Sequence, residues 1–370
     1  MKIALVHDHL AQDGGAENVL RAFSEIWPEA PIHVVVHDPE QANDFFKSRK
    51  IKTSFIQKMP LGVRKYQWYF TLMPSAVESF DLTEYDIVLV SSSSFAKGVL
   101  TNPDTLHITY CHTPTRFLWS DTHSYIEELG VPKVLKKALP VMLSRIRLWD
   151  RTAAERTDYY IANSREVQHR IKNYYDRDSD LIYPPVDLND FYVADAGDVK
   201  DYFLAGGRLV PYKRFDLLVD AFNQLGKPLK VFGDGPALPD LKKRARGNIE
   251  FLGRVPDDRL KQLFAECAAF LNPQHEDFGI TMIEAMAAGR PVVAYGKGGA
   301  TEIVDDGVTG ILINYQTWED FADAIIGFDK NAYDPQTIRE KALTFNVGQF
   351  KTNIRDFVET KWQEFQQHKI

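Results

Sequence analysis

The chain has 370 residues, a formal charge of −7, and 44% hydrophobic and 12% aromatic residues, enough apolar material for about two domains with cores of their own. That composition excludes a disordered chain, and the acidity, with no recognition motif, disfavours nucleic acid as a partner. Cys111 and Cys267 lie far apart, each beside an apolar run, so they read as packed thiols in a reducing compartment, with neither metal spacing nor a disulfide framework.

In chain order, the apolar run Ile3 to Val6 stops at His7-Asp8-His9. It is too short for the core of a signal peptide and reads as a first buried strand. No apolar stretch reaches transmembrane length, so the expected location is the cytoplasm, which argues against a secreted two-lobed sugar-binding protein. Gly14-Gly15 permit a tight turn whose amides can face an anion, although a turn without a ligand reads equally well. Ala16, Val19, Leu20, Phe23, Ile26 and Trp27 form one helical stripe. Further strands are predicted at Ile32 to Val36, Ile87 to Val90, Leu106 to Tyr110, Tyr159 to Ala162 and Leu181 to Tyr183. His112 falls just past one of these strand ends. A lone histidine is more often structural, yet its titration range suits hydrogen bonding to a reacting group.

Two stretches of this first half are basic. Phe45 to Val77 holds seven Lys or Arg and no Asp or Glu, interleaved with Phe55, Tyr66, Trp68, Tyr69, Phe70 and Met73, and Val131 to Trp149 holds five cations and no acid. Such segments can rest on anionic membranes at roughly 1 kcal/mol per cation near the surface. A solvated basic face over buried aromatics is the other reading.

Tyr183-Pro184-Pro185 fits a rigid linker, after which the pattern restarts with strands at Tyr202 to Ala205, Leu229 to Phe232, Ile249 to Leu252, Ala268 to Leu271, Pro291 to Ala294 and Gly310 to Ile313. Two α/β units are therefore expected in succession, 1–185 and 186–346, followed by a helix over about Val347 to Gln366. No internal repeat or low-complexity tract is present. Arg208 and Lys213 follow the first strand of the second unit, where both cations can reach the strand ends, or lie as ordinary surface charges. Gly233-Asp234-Gly235 also follows a strand.

The run His275 to Ala294 carries the most information. Asn272-Pro273 ends a strand, a loop follows, and from Gly279 onward Ile280, Met282, Ile283, Met286 and Ala287 recur at helical spacing until Gly289. The first turn leaves the amides of Phe278, Gly279 and Ile280 at the positive end of a helix, which suits an anion. Glu276 in the loop and Glu284 in the helix are on the order of 12 Å apart. A glycosidase pair sits roughly 5 to 9.5 Å apart, so this spacing suits instead a grip on two ends of one long ligand.

Embedded as E-D-F-G-I-T-M-I-E-A-M-A-A-G-R-P-V-V-A, this pair resembles the signature of the retaining glycosyltransferases of family four. DGGAE at Asp13 to Glu17, YCHTPTRFLW at Tyr110 to Trp119, ANS at Ala162 to Ser164, YPPVD at Tyr183 to Asp187, GGRLVPYKR at Gly206 to Arg214, VFGDGP at Val231 to Pro236 and FLGRV at Phe251 to Val255 follow in the family's order. The resemblance implies a GT-B fold: two Rossmann-like, doubly wound α/β domains facing across a cleft, with the C-terminal helix, 347–370, crossing back to the first. In open parallel sheets ligands sit at the carboxyl ends of strands, which places the expected active site between the units.

The resemblance further implies that Arg208 and Lys213 neutralise the diphosphate leaving group, that Glu276 and His112 contact the donor sugar, and that Glu284 accepts from ribose hydroxyls. Gly14 and Gly15, with Phe278, Gly279 and Ile280, would face the phosphates, and Gly233, Asp234 and Arg254 would lie near the nucleobase. With charge stabilised by these donors no metal or cofactor is expected, and no Asp-x-Asp motif stands in a suitable loop. The aromatic stretch before Ser79-Phe80 and YCHTPTRFLW look most like bacterial surface-polysaccharide mannosyltransferases. They imply GDP-mannose as donor and a saccharide acceptor, lipid-linked at the cytoplasmic membrane face. UDP-glucose or UDP-N-acetylglucosamine as donor, a sugar-nucleotide epimerase or phosphorylase, and a non-catalytic nucleotide-sugar binder are the alternatives. A dehydrogenase fails because Gly296-Lys297-Gly298-Gly299-Ala300-Thr301 lacks the third small residue of the dinucleotide fingerprint, and the P-loop motif is absent.

Overall fold

The computed structural model describes residues 1–120, 122 and 133–367, the side chains of 133–138 excepted. Val131, Pro132 and residues 368–370 of the segments named above lie outside them. The chain forms two compact units, Met1–Pro185 together with the stretch from Val347, and Val186–Asn346.

The first unit is built on seven strands: β1 (Ile3–His7), β2 (Ile32–Val34), β3 (Ile51–Thr53), β4 (Ile87–Ser92), β5 (Leu106–Cys111), β6 (Tyr159–Ala162) and β7 (Ser179–Leu181). They lie in the order β3-β2-β1-β4-β5-β6-β7, every pair parallel. β1, β4 and β5 are buried along their whole length, as expected where crossover helices cover both faces of a parallel sheet. The unpredicted β3 is three residues at the sheet edge, Ile-Lys-Thr, half-buried to exposed, which is too short to show a period. The strand expected at Leu181 to Tyr183 lies two residues earlier, because Pro184 and Pro185 have no N–H to give a ladder.

The second unit has β8 (Phe203–Gly206), β9 (Leu229–Phe232), β10 (Ile249–Gly253), β11 (Ala269–Asn272), β12 (Val292–Tyr295) and β13 (Gly310–Ile313), in the order β10-β9-β8-β11-β12-β13 and again all parallel. Strand order reverses between β1 and β4 in one sheet and between β8 and β11 in the other. Each reversal opens a crevice at the strands' carboxyl ends.

The last helix, Val347–Gln367, belongs to the first unit. Phe350, Ile354 and Val358 recur every four residues, so they share one face and join the core around Phe23 and Tyr110. The Phe350 and Phe23 rings stack at 6.0 Å. Full burial contributes roughly 1.5 to 3 kcal/mol for each such side chain.

One buried ion pair organises the loop after β5. Asp150, on the helix Lys133–Ala154, accepts from Lys97 Nζ at 2.5 Å and Thr115 Oγ1 at 2.8 Å on one oxygen. Its other oxygen accepts from Trp119 Nε1 at 2.8 Å and the Tyr175 hydroxyl at 2.9 Å. Lys97 also donates to the carbonyl of Ser94. Both charges are inaccessible to water, so only this saturation offsets their desolvation. Thr115 and Trp119 of the YCHTPTRFLW segment thereby find their structural purpose. Asp150→Ala should lower stability to urea by about 3 to 5 kcal/mol, since it strands the Lys97 ammonium in a dry interior. A loss below about 1 kcal/mol, the worth of an exposed pair, would contradict that role.

Candidate active site

In the second unit the site starts where β11 ends, at Asn272-Pro273. The following loop reaches Gly279, whose φ of +115° is left-handed, and then opens the helix Ile280–Ala287. A Cβ on Gly279 would lie 2.2 Å from Met282 Cε, the mobile end of that side chain, so it is the left-handed conformation that calls for glycine here. No side chain caps this helix, and the start of a helix is the end that attracts an anion. Phe278 is buried beneath them, while Ile280 and Glu284 are half-buried.

Lys213 comes from the short turn Pro211–Lys213 after β8. Because β8 and β11 are neighbours at the reversal, that turn meets the loop carrying Glu276. Lys213 Nζ donates to Glu276 Oε1 at 2.6 Å, with the two side chains 15% and 17% exposed. Glu276 is fixed in turn by the loop after β12, its carbonyl accepting from Gly299 N at 2.9 Å. The groups assigned to the leaving phosphate and to the sugar thus touch each other. Burial, with the negative charge of Asp257 adding to it, pushes the Glu284 carboxyl up to about 7, because a desolvated carboxyl resists ionisation.

The remaining second-unit residues lie nearer the surface. Arg208 is exposed and donates to the Tyr212 hydroxyl at 2.9 Å. Gly233 has a φ of +104°, and a Cβ there would lie 1.8 Å from the Gly207 carbonyl oxygen, so the β8 and β9 loops pass backbone to backbone. Arg254 is 90% exposed and 4.0 Å from Asp234, a loose pair of little energetic weight.

In the first unit the glycine turn differs from expectation. Neither Gly14 nor Gly15 has a positive φ, and Gly14 is extended at −163°, so the freedom peculiar to glycine is not what the turn needs. A Cβ on Gly14 would lie 3.2 Å from Glu17 Oε2, a tight contact that a shift of the carboxylate by a few tenths of an ångström would relieve.

His112, half-buried at the end of β5, lies 2.8 Å through Nε2 from Ser91 Oγ. Ser91 is the register partner of His7 across β1 and β4, which brings together residues that sequence reasoning did not single out. The available signal was the run of polar residues, His7-Asp8-His9, at the end of an otherwise apolar strand. Asp8 accepts from the amides of Ser93 at 2.6 Å, Ser94 at 3.0 Å, Phe95 at 2.8 Å and Ala96 at 2.8 Å. Burial opposes its ionisation, but the charge of His7 and these amides hold its carboxyl below the usual range. Asp8 is therefore the clamp on the loop after β4. Burial, aided by the charge of His7, holds the His112 imidazole down at about 4, so it is neutral at physiological pH.

The basic aromatic stretch divides. Tyr66, Tyr69 and Phe70 pack against the core, whereas Trp68 is 67% and Leu61 56% exposed. On the helix Lys133–Ala154, Val141 and Leu148 are also exposed. Among the described residues no helix is long and apolar enough to cross a membrane.

Residues 13–190 match the model of Glycosyltransferase Family 4, and residues 200–331 that of Glycosyl transferases group 1. An uncharacterized glycosyltransferase of Methanocaldococcus jannaschii is 28% identical over 54% of this chain and 58% of its own length. An alpha-1,3/1,6-mannosyltransferase of Dictyostelium discoideum is 25% identical over 72% of this chain and 71% of its own. A GDP-mannose-dependent alpha-(1-6)-phosphatidylinositol monomannoside mannosyltransferase of Mycobacterium tuberculosis is 35% identical over 32% of this chain and 35% of its own. The chain thus spans little more than half the length of the first of these relatives and about a third of the last. Anabaena HepE, solved in complex with UDP-glucose, superposes over 97% of this chain and all of its own with a TM-score of 0.68 at 20% identity. With the matches spread over both parallel-sheet units, the chain belongs to the glycosyltransferases of family 4 and has the GT-B fold.

Proposed function

We propose that the protein is a retaining hexosyltransferase that moves mannose from GDP-mannose onto a lipid-linked saccharide in surface-polysaccharide synthesis. The observation that carries the transferase chemistry is the Lys213–Glu276 pair at the β8/β11 reversal, beside the uncapped start of the helix Ile280–Ala287. Departure of a nucleoside diphosphate spreads negative charge over its oxygens. Lys213, Arg208 and the amides of Phe278, Gly279 and Ile280 are preorganised donors for that charge, usually the largest catalytic term. On donor binding the diphosphate takes Lys213, which frees Glu276 to accept from sugar hydroxyls, while Glu284 accepts from the ribose and His112 positions the sugar. Retention follows a same-face course in which the leaving phosphate accepts the acceptor's proton. The mannosyl donor is supported by mannosyltransferases among the relatives.

The lipid-linked acceptor and a peripheral position at the inner face of the cell membrane are supported by Trp68 and Leu61, exposed beside Lys58, Arg64 and Lys65, and by the lipid substrate in one relative's name. The protein should pellet with anionic liposomes at physiological salt, and Trp68→Ala should weaken this. No pelleting removes the membrane assignment.

Calorimetry with GDP, UDP and ADP tests the donor. GDP should bind at least tenfold more tightly, about 1.4 kcal/mol; a preference for UDP replaces the donor with a glucosyl or N-acetylglucosaminyl nucleotide, and no binding by any nucleotide overturns the transferase reading. Glu284→Ala should lose about 1.5 to 3 kcal/mol of donor binding. In the wild type that contribution should fall as pH drops through about 7, where Glu284 takes up its proton, and the variant should lack this component. Glu276→Gln should lower kcat more than nucleotide affinity, and an equal loss of free nucleotide binding would contradict its assignment to the sugar.

A further inference from the structure

The crevice at the β1/β4 reversal holds a chain of buried groups that the chemistry above leaves unused. His7 and Glu17 are each 2% exposed. Glu17 comes from the first turn of the helix Gly15–Ile26, and its Oε1 lies 3.7 Å from His7 Nε2, an ion-pair separation rather than a hydrogen bond. On the opposite side of the ring, His7 Nδ1 lies 3.1 Å from the carbonyl oxygen of Ser91 and 3.0 Å from its Oγ. Ser91 Oγ is in turn 2.8 Å from His112 Nε2. These four residues come from β1, β4, the end of β5 and one helix, so only the sheet's topology brings them into line.

The proton positions follow from which atoms can only accept. A carbonyl oxygen and an ionised carboxylate cannot donate, and they face opposite nitrogens of the same imidazole, so His7 satisfies both only as the imidazolium. Its other charged and titratable neighbours are Asp8 and His9 from the end of β1 and His112 from the end of β5. Asp8 is committed to four amides and the Ser93 hydroxyl. Burial opposes the charge on His7, but Glu17 and Asp8 outweigh it and raise its pKa. With Nδ1–H of His7 donating, Ser91 Oγ cannot direct its own proton there, and its remaining acceptor within reach is His112 Nε2.

We propose that Glu17 and His7 are positioning residues which, through Ser91, hold His112 as the tautomer protonated on Nδ1. This rests on the reading above in which His112 contacts the donor sugar, and it specifies that contact: His112 offers a donor N–H at Nδ1 to a sugar oxygen.

The test is a two-bond proton–nitrogen correlation spectrum of the full-length protein labelled with nitrogen-15 histidine, the His112 signals being identified by their loss in His112→Asn. His112 should show a protonated Nδ1 and a bare Nε2. In Glu17→Gln the side chain keeps its shape without its charge. His7 then becomes neutral, its Nδ1 accepts from Ser91, and His112 should change to the Nε2–H form. Ser91→Ala should abolish the preference for Nδ1–H, and both variants should lose about tenfold in kcat at little-changed KM for the nucleotide-sugar, as for one transition-state hydrogen bond. Nε2–H on His112 in the wild type, or Nδ1–H persisting in both variants, overturns the proposal; if either variant fails to fold, the wild-type spectrum still decides. The spectra need neither donor nor acceptor, so absent turnover would count against the function proposed above and leave the tautomer result standing.

Discussion

Where the strand order of a parallel sheet reverses, the crossovers on either side leave toward opposite faces, and the carboxyl ends of the two central strands are left uncovered. In this protein that happens at β1/β4 and at β8/β11. The Lys213–Glu276 contact exists because β8 and β11 are neighbours, and the His7–Ser91 contact because β1 and β4 are in register there. Moving either strand one place in the sheet would carry the partners about 5 Å farther apart, one more strand spacing, beyond hydrogen-bonding reach.

The two crevices use charge differently. In the first unit Asp8 and Asp150 are buried and saturated. Asp8 is wrapped by four amides, Asp150 accepts from four donors, and each restrains a loop that leaves a strand end. Releasing either loop would leave an unpaired charge in a dry interior, which opposes its movement. In the second unit Lys213 and Glu276 remain partly accessible, and each is satisfied by the other. An ion pair of that kind exchanges partners at modest cost when an anion arrives, which suits the donor site proposed above.

Burial also decides which groups are ionised before any ligand arrives. Glu284 is held near neutrality by desolvation, and His112 is kept neutral by burial and by the charge of His7. His7 goes the other way because a carboxylate faces it. The same imidazole chemistry is shifted upward at His7 and downward at His112, according to which counter-charge the fold delivers.

The sequence by itself determined the order of the elements: the helical stripe from Ala16 to Trp27 appears as Gly15–Ile26, and the run Leu229 to Phe232 appears unchanged as β9. These were legible because side-chain period and proline or glycine punctuation are local properties. Local pattern also exposed Gly279, whose left-handed backbone follows from the strand-loop-helix around it. Only the tertiary structure decided that Lys213 meets Glu276 across a separation of 63 residues, that Gly14 lies against the Glu17 carboxylate, and that His7, Glu17 and Ser91 lead to His112. Each of these depends on which strands lie side by side, and strand adjacency in a parallel sheet is fixed by how crossover helices pack on its two faces, a long-range choice that no window of local sequence contains.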